Sequence, residues 1–242
     1  INFFICRNIS PSSYNTPCSV KHYFHCLGVK EEVMSQNIII TIGREFGSGG
    51  RELARRLSEE LGFAYYDQEI LKEIAQRTQL SESYVRAIVE KSPITSYPIH
   101  VVRSFHPAVS PVMDQTNKVC QEQTAIIKEL AEKSDCIIVG RCADYILREY
   151  NVLRIFVYSE MKEKIARCRA KSGDAESLSD KELEKQIKTI DKNRKRYYDF
   201  YTGQEWGDKR NYDLMINTSN ISIKTAAHEI AVMVSDFKKT EN

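Results

Sequence analysis

Three of the four residues 47–50 are glycine (Gly47, Gly49 and Gly50), and they stand three residues after the β-branched run IIITIG. Glycines there let a chain turn its backbone N–H groups inward around an anion. The apolar pattern becomes helical from residue 51 to 61, so a helix N-terminus adds its positive end at the same place. Strand, glycine loop and helix in that order, over IIITIGREFGSGGRE at 38–52, predict a P-loop phosphate cradle. The plain alternative is a tight strand-to-helix connection that binds nothing. The loop departs from G-x-x-x-x-G-K-[ST], in which a lysine reaches the β- and γ-phosphates and a hydroxyl holds Mg²⁺. Taking Gly49 as the second motif glycine puts Gly50 in the lysine's place, Arg51 in the hydroxyl's and Arg44 at the first glycine. The backbone cradle is kept, and Arg44 and Arg51 are the candidate cations.

Further candidates stand at the ends of other apolar runs. FAYYD (63–67) reads as a second strand that delivers Asp67 to its carboxyl end, where open α/β sheets bind ligands. Asp67 reads equally as a helix N-cap. CIIVGR (136–141) delivers Arg141 to the same edge, as a phosphate contact or as a solvent-facing arginine. Asp144 is a cap for a turn over 143–149 or a polar ligand contact. Residues 161–171 and 179–201 form two cation-rich helical stretches around a polar turn at 172–177, and Ser179 with Glu182 spells a capping box. The pair reads as a hinged flap or as a solvated charged face.

The elements needed to position these residues are all legible. Apolar runs at 152–160 and 212–219 predict a fourth and a fifth strand, and helical spacing marks 70–90, 113–133 and 222–237. Residues 91–111 carry Pro93, Pro98, Pro107 and Pro111 and predict an excursion over the site. Strands alternating with helices predict one α/β domain, a three-layer αβα P-loop NTPase fold with a five-stranded parallel sheet and a helical lid. His100 and His106 read as surface residues.

With 242 residues, 42% hydrophobic and 28% charged, the chain is an ordinary globular one. A formal net charge of +2 argues against a chain-wide nucleic-acid footprint, and no apolar run approaches the roughly 18 residues of a membrane span. Seven cysteines without a C-x-x-C pair predict a reduced, cytoplasmic protein rather than a disulfide framework. Cys18, His22, His25 and Cys26 match no usual zinc spacing. Residues 1–33 lack periodicity and lead to Met34, which predicts a native start at Met34 after a non-native or disordered extension.

REFGSGGRE, YYDQEIL and IIVGRCADYIL together resemble the P-loop nucleoside monophosphate kinases, and most of all the cytidylate kinase-like family, from about residue 36 to 236. The resemblance implies an acceptor-binding helical insertion at about 68–133 and a lid at about 160–201. It implies ATP and Mg²⁺ as cofactors, nucleotides as substrates, and γ-phosphoryl transfer to a CMP- or dCMP-like monophosphate or a related small phosphate acceptor. By the same resemblance Arg44, Gly47, Ser48, Gly49, Gly50 and Arg51 hold the donor. Arg51, Arg167 and Arg194 are catalytic, and Asp67, Arg141, Asp144, Arg169 and Arg196 bind the acceptor. Three departures stand out: Cys142 replaces the aspartate after Gly-Arg, Glu73 stands where the family has an acceptor-phosphate arginine, and the loop lysine is absent. They leave a second reading, a nucleotide-binding regulatory module that no longer transfers phosphate.

Overall fold

The computed structural model describes residues 37–91, 111–171 and 178–240. The expectations about the start at Met34, the cysteine and histidine grouping before it, His100, His106 and the turn at 172–177 lie outside the described residues.

The elements run β1 (Ile39–Arg44), α1 (Gly50–Leu61), β2 (Ala64–Tyr66), α2 (Glu69–Thr78), α3 (Glu82–Lys91), α4 (Pro111–Lys133), β3 (Cys136–Val139), α5 (Ala143–Ile146), β4 (Val152–Tyr158), α6 (Met161–Lys171), α7 (Asp180–Thr202), β5 (Leu214–Asn217) and α8 (Ile223–Thr240). The strands form one parallel sheet in the order β2-β3-β1-β4-β5. Both faces are covered, which is why the central strands read as unbroken apolar runs. Alternation along β1 and β3 sorts the side chains. Ile40, Ile42, Ile137 and Val139 pack with Leu53 and Leu57 of α1 and with Ala227 and Ile230 of α8. Ile39, Cys136 and Ile138 pack on the other face with residues of α2, α3, α4, α5 and α7. The architecture is therefore the three-layer αβα fold that the strand and helix pattern implied. The chain leaves β1 toward one side of the sheet and crosses over β1 between β3 and β4, so a crevice opens at the carboxyl end of β1.

Three local readings need correction. The helical stretch at 70–90 is two helices, because Gln79 adopts left-handed φ 57° and the Leu80 N–H closes on the Ala75 carbonyl. Apolar spacing runs through the break because both helices bury residues in the same core. Neither Asp67 nor Asp144 is an N-cap: Gln68 holds the N-cap position of α2 and Cys142 that of α5, both without a side-chain cap hydrogen bond. Within 160–201, Tyr197, Tyr198 and Thr202 in the last turns of α7 are buried. The capping box at Ser179 and Glu182 is formed as its spacing implies.

Candidate active site

The glycine loop is held from behind. Gly47 and Gly49 take φ 76° and 83°, where a side chain would be strained, and Gly49 is the N-cap of α1. Arg167 spends its guanidinium on backbone carbonyls: Nη1 donates to those of Gly47 and Ser48, both at 3.4 Å, and Nη2 to that of Thr218 at 2.5 Å. The Thr218 hydroxyl donates to the Ser48 carbonyl at 2.7 Å, and the buried Ser48 hydroxyl to the Glu45 carbonyl at 2.8 Å. With the carbonyls tied back, the N–H groups that open α1 are the ones a helix start leaves for a ligand.

A second clamp joins the loop to the lid helices. Buried Lys164 of α6 lies 2.7 Å from Glu45 and 3.4 Å from Asp191 of α7. Asp191 accepts from the Phe46 N–H at 2.7 Å. Arg194 donates to the Arg44 carbonyl at 3.1 Å and sits 5.6 Å over the Phe46 ring.

In front of the loop two cavities meet. The larger, about 470 Å³, lies between the loop and the lid and is lined by Gly47, Gly49, Gly50, Arg167, Leu183 and Ile187 among others. The second, about 270 Å³, lies between β1, β3 and α7 and is lined by Arg86, Arg141, Cys142, Asp144, Tyr198 and Trp206 among others. Arg44, Phe46, Arg51 and Arg194 line both. Beside this junction Asp67, 3% exposed, holds Arg51 Nε at 2.5 Å through one oxygen. Its other oxygen lies 3.7 Å from Arg44, within ion-pair reach but beyond hydrogen bonding. Burial, then the neighbouring Arg194, lowers the Arg44 pKa to about 9, with Asp67 opposing. The guanidinium therefore stays charged at neutral pH. Asp191 lies 3.4 Å from Arg194, so three arginines meet two carboxylates, and the remaining positive charge makes the junction a place for anions.

In the second cavity Gly140, Arg141 and Cys142 take φ 70°, 59° and 54°, a run of left-handed residues costly for the two that carry side chains. The turn points Arg141 inward. Its Nη2 donates to Glu90 at 3.2 Å, while the buried Nε has no hydrogen-bond partner. Burial pushes the Cys142 thiol well up, so it is neutral. Asp144 accepts the Tyr198 hydroxyl at 2.6 Å, and burial raises its carboxyl pKa.

The structure thus brings together Arg44, Gly47, Gly49, Gly50, Arg51, Asp67, Arg141, Asp144, Arg167 and Arg194. It does not bring in three others. Ser48 is fully buried, its hydroxyl spent on the Glu45 carbonyl, and lines neither cavity. Arg169 turns to Asp180 at 2.6 Å and to the Leu178 carbonyl, tying α6 to α7, and Arg196 is exposed on the face of α7 opposite the buried tyrosines. Neither lines the cavities. Arg167 lines the larger cavity, but its hydrogen bonds make it a brace for the loop rather than a free cation. Glu73 pairs with Arg77 on the surface, outside both cavities. Sequence reasoning missed Phe46, Arg86, Lys164 and Asp191. Only the i, i+4 spacing of Arg86 to Glu90 hinted at the first shell of charges around Arg141.

Comparison with known proteins gives the family. The pattern of the Cytidylate kinase-like family matches residues 39–220. The cytidylate kinase of Thermococcus sibiricus (strain DSM 12597 / MM 739) is 26% identical over 183 residues, covering 75% of this chain and 79% of that protein. That of Methanopyrus kandleri is 24% identical over 201 residues, covering 78% and 89%. A crystal structure of an uncharacterized protein from Eubacterium ventriosum ATCC 27560 is 28% identical with a TM-score of 0.60, covering 82% of this chain and 99% of that one. The chain belongs to the cytidylate kinase-like family and is kinase-like in fold.

Proposed function

We propose that this chain is an ATP-dependent phosphotransferase that moves the γ-phosphoryl group of ATP to a nucleoside monophosphate of the CMP or dCMP type. The observation that carries the reading is the shared wall of the two cavities, where Arg44, Arg51 and Arg194 face both. The cavity at the glycine loop suits the donor triphosphate, and the one at Arg141 suits the acceptor. The names of the curated relatives support a cytidine acceptor. Cys142, where the family's aspartate would read the base, is the feature that leaves room for another one.

Transfer breaks the bond from the γ-phosphorus to the β,γ-bridging oxygen and forms one to an acceptor phosphate oxygen, giving ADP and a diphosphate. An acceptor phosphate with its second pKa near 6 is largely deprotonated at pH 7, so the attacking oxygen needs no general base. The chain's residues have two tasks. The loop N–H groups and Arg141 hold donor and acceptor in line, and the junction arginines face the oxygens on which charge spreads. Asp67 keeps Arg44 and Arg51 in place before the phosphates arrive.

The family implies Mg²⁺ with ATP, where the ion screens the phosphates. Among the described residues no group of three or more His, Cys, Asp or Glu side chains is placed to hold a metal ion. Arg51 stands where the loop's hydroxyl ligand would be, and Asp67 is already shared by two arginines. The described side chains therefore do not make an all-protein Mg²⁺ cage, which an ion carried on the ATP phosphates does not need, and the steps assigned to this chain rest on its arginines.

The test is incubation of the full chain with ATP, Mg²⁺ and a panel of nucleoside monophosphates, followed by separation of the nucleotides. A new diphosphate identifies the reaction and its acceptor together. ATP binding without any diphosphate product would favour the regulatory module, the reading to which the missing loop lysine points.

A further inference from the structure

In the usual glycine loop the cation is a lysine on the first turn of the helix, and the strand's end carries glycine. Here the two are exchanged, for Arg44 ends β1 and Gly50 opens α1. The exchange is spatial as well as sequential. A Cβ on Gly50 would lie 2.6 Å from Cβ of Arg44, 3.2 Å from its Cγ and 3.2 Å from Cβ of Val157. The φ of Gly50 is not left-handed, so its backbone makes no demand for glycine. The space is what forbids a side chain, and the stem of Arg44 fills that space. Farther along, the guanidinium lies over Gly140, whose φ of 70° is by itself reason for glycine there. Cleared at its stem by Gly50, Arg44 reaches the wall shared by both cavities.

We propose that Arg44 is the phosphate-binding cation of this loop, relocated from the first helical turn to the end of β1, and that Gly50 is the clearance that admits it. The inference rests on the phosphate-cradle reading above and explains the loop's main departure from the usual pattern. A lysine at the helix start approaches the phosphates from the donor side. A planar guanidinium on the shared wall presents donors to both sides and can keep hold of the phosphoryl group as it passes from one cavity to the other.

Two substitutions at position 44 separate space from charge. Arg44→Met keeps Cβ and Cγ but removes the charge, and Arg44→Gly removes both. Each is made alone and with Gly50→Ala in the full chain, and thermal midpoints and calorimetric ATP affinity are measured. In wild type and in Arg44→Met, Gly50→Ala is expected to lower the midpoint by about 3 to 10 °C. In Arg44→Gly the same change should cost less than half as much, the residue of Val157 remaining. ATP affinity should fall about tenfold or more in both position-44 variants, the loss of a charge-assisted contact. An equal Gly50→Ala cost in all three backgrounds would overturn the exchange, and so would ATP affinity in Arg44→Met within about twofold of wild type. Wild type that binds no ATP would remove the phosphotransferase reading as well, whereas wild type that binds ATP no better than Arg44→Met removes this inference alone.

Discussion

Replacing Asp67 by asparagine probes the junction with almost no change of shape. The side chain is 3% exposed and faces Arg44 at 3.7 Å and Arg51 at 2.5 Å. At an effective dielectric of about 20 a pair some 4 Å apart attracts by roughly 4 kcal/mol, the gross contribution of Arg44. Arg51 is more than half exposed, so solvent screens its share to below about 1 kcal/mol. Asparagine also spares the fold the dehydration of a carboxylate, which offsets part of the loss. The expected net destabilisation is about 2 to 3 kcal/mol, a drop of roughly 4 to 12 °C in melting temperature for a chain this size. Thermal and urea denaturation at pH 7 measure it, with and without ATP. Saturating ATP should narrow the gap to wild type, because phosphate then supplies the missing negative charge. If Asp67→Asn proved as stable as wild type without nucleotide, the carboxylate would not be what balances the arginines, and the account of the junction would fail.

Three other outcomes follow from the same geometry. Arg51→Ala should lower turnover by about 10² or more, with a melting temperature within a few degrees of wild type because its ion pair is exposed; turnover close to wild type would remove Arg51 from the mechanism. Lys164→Ala strands half-buried partners at Glu45 and Asp191 and should cost about 2 kcal/mol in denaturant unfolding, whereas a change below about 0.5 kcal/mol would show that the clamp contributes nothing. Burial favours the neutral form of Arg44, so its charge costs the fold stability below pH about 9, and that cost is relieved as pH rises from about 9 toward the ordinary arginine range. Phosphate binding needs the charged form. ATP affinity should therefore be level to pH about 9 and decline above it, with the decline absent in Arg44→Met when both are titrated calorimetrically.

The fold was largely legible because its signals are local. The apolar runs of β1 and β3 announce strands covered on both faces, Gly62 takes the left-handed cap of α1, and Ser179 with Glu182 opens α7. The site was legible where residues sit at strand ends, so Asp67, Arg141 and the loop fell to one crevice. What escaped depends on who meets whom across the fold. Nothing along the chain says that the Arg44 stem occupies the space above Gly50, or that Arg167 turns to the carbonyls of Gly47 and Ser48. Lys164 and Asp191 are 27 residues apart and read as two members of a solvated charged face, yet Lys164 is buried between Asp191 and Glu45. The break at Gln79 escaped because both helices serve one core and keep their apolar spacing through it.

The central claim is phosphoryl transfer across the arginine junction, and the fate of the γ-phosphate tests it most directly. ATP labelled in that phosphate is incubated with the full chain, Mg²⁺ and CMP or dCMP, and the label is followed in wild type and in Arg51→Ala. The account predicts label in the acceptor's diphosphate with wild type, and about 10² less of it with Arg51→Ala over the same interval. Label that remains in ATP, or that appears only as free phosphate with every monophosphate tried, would contradict it.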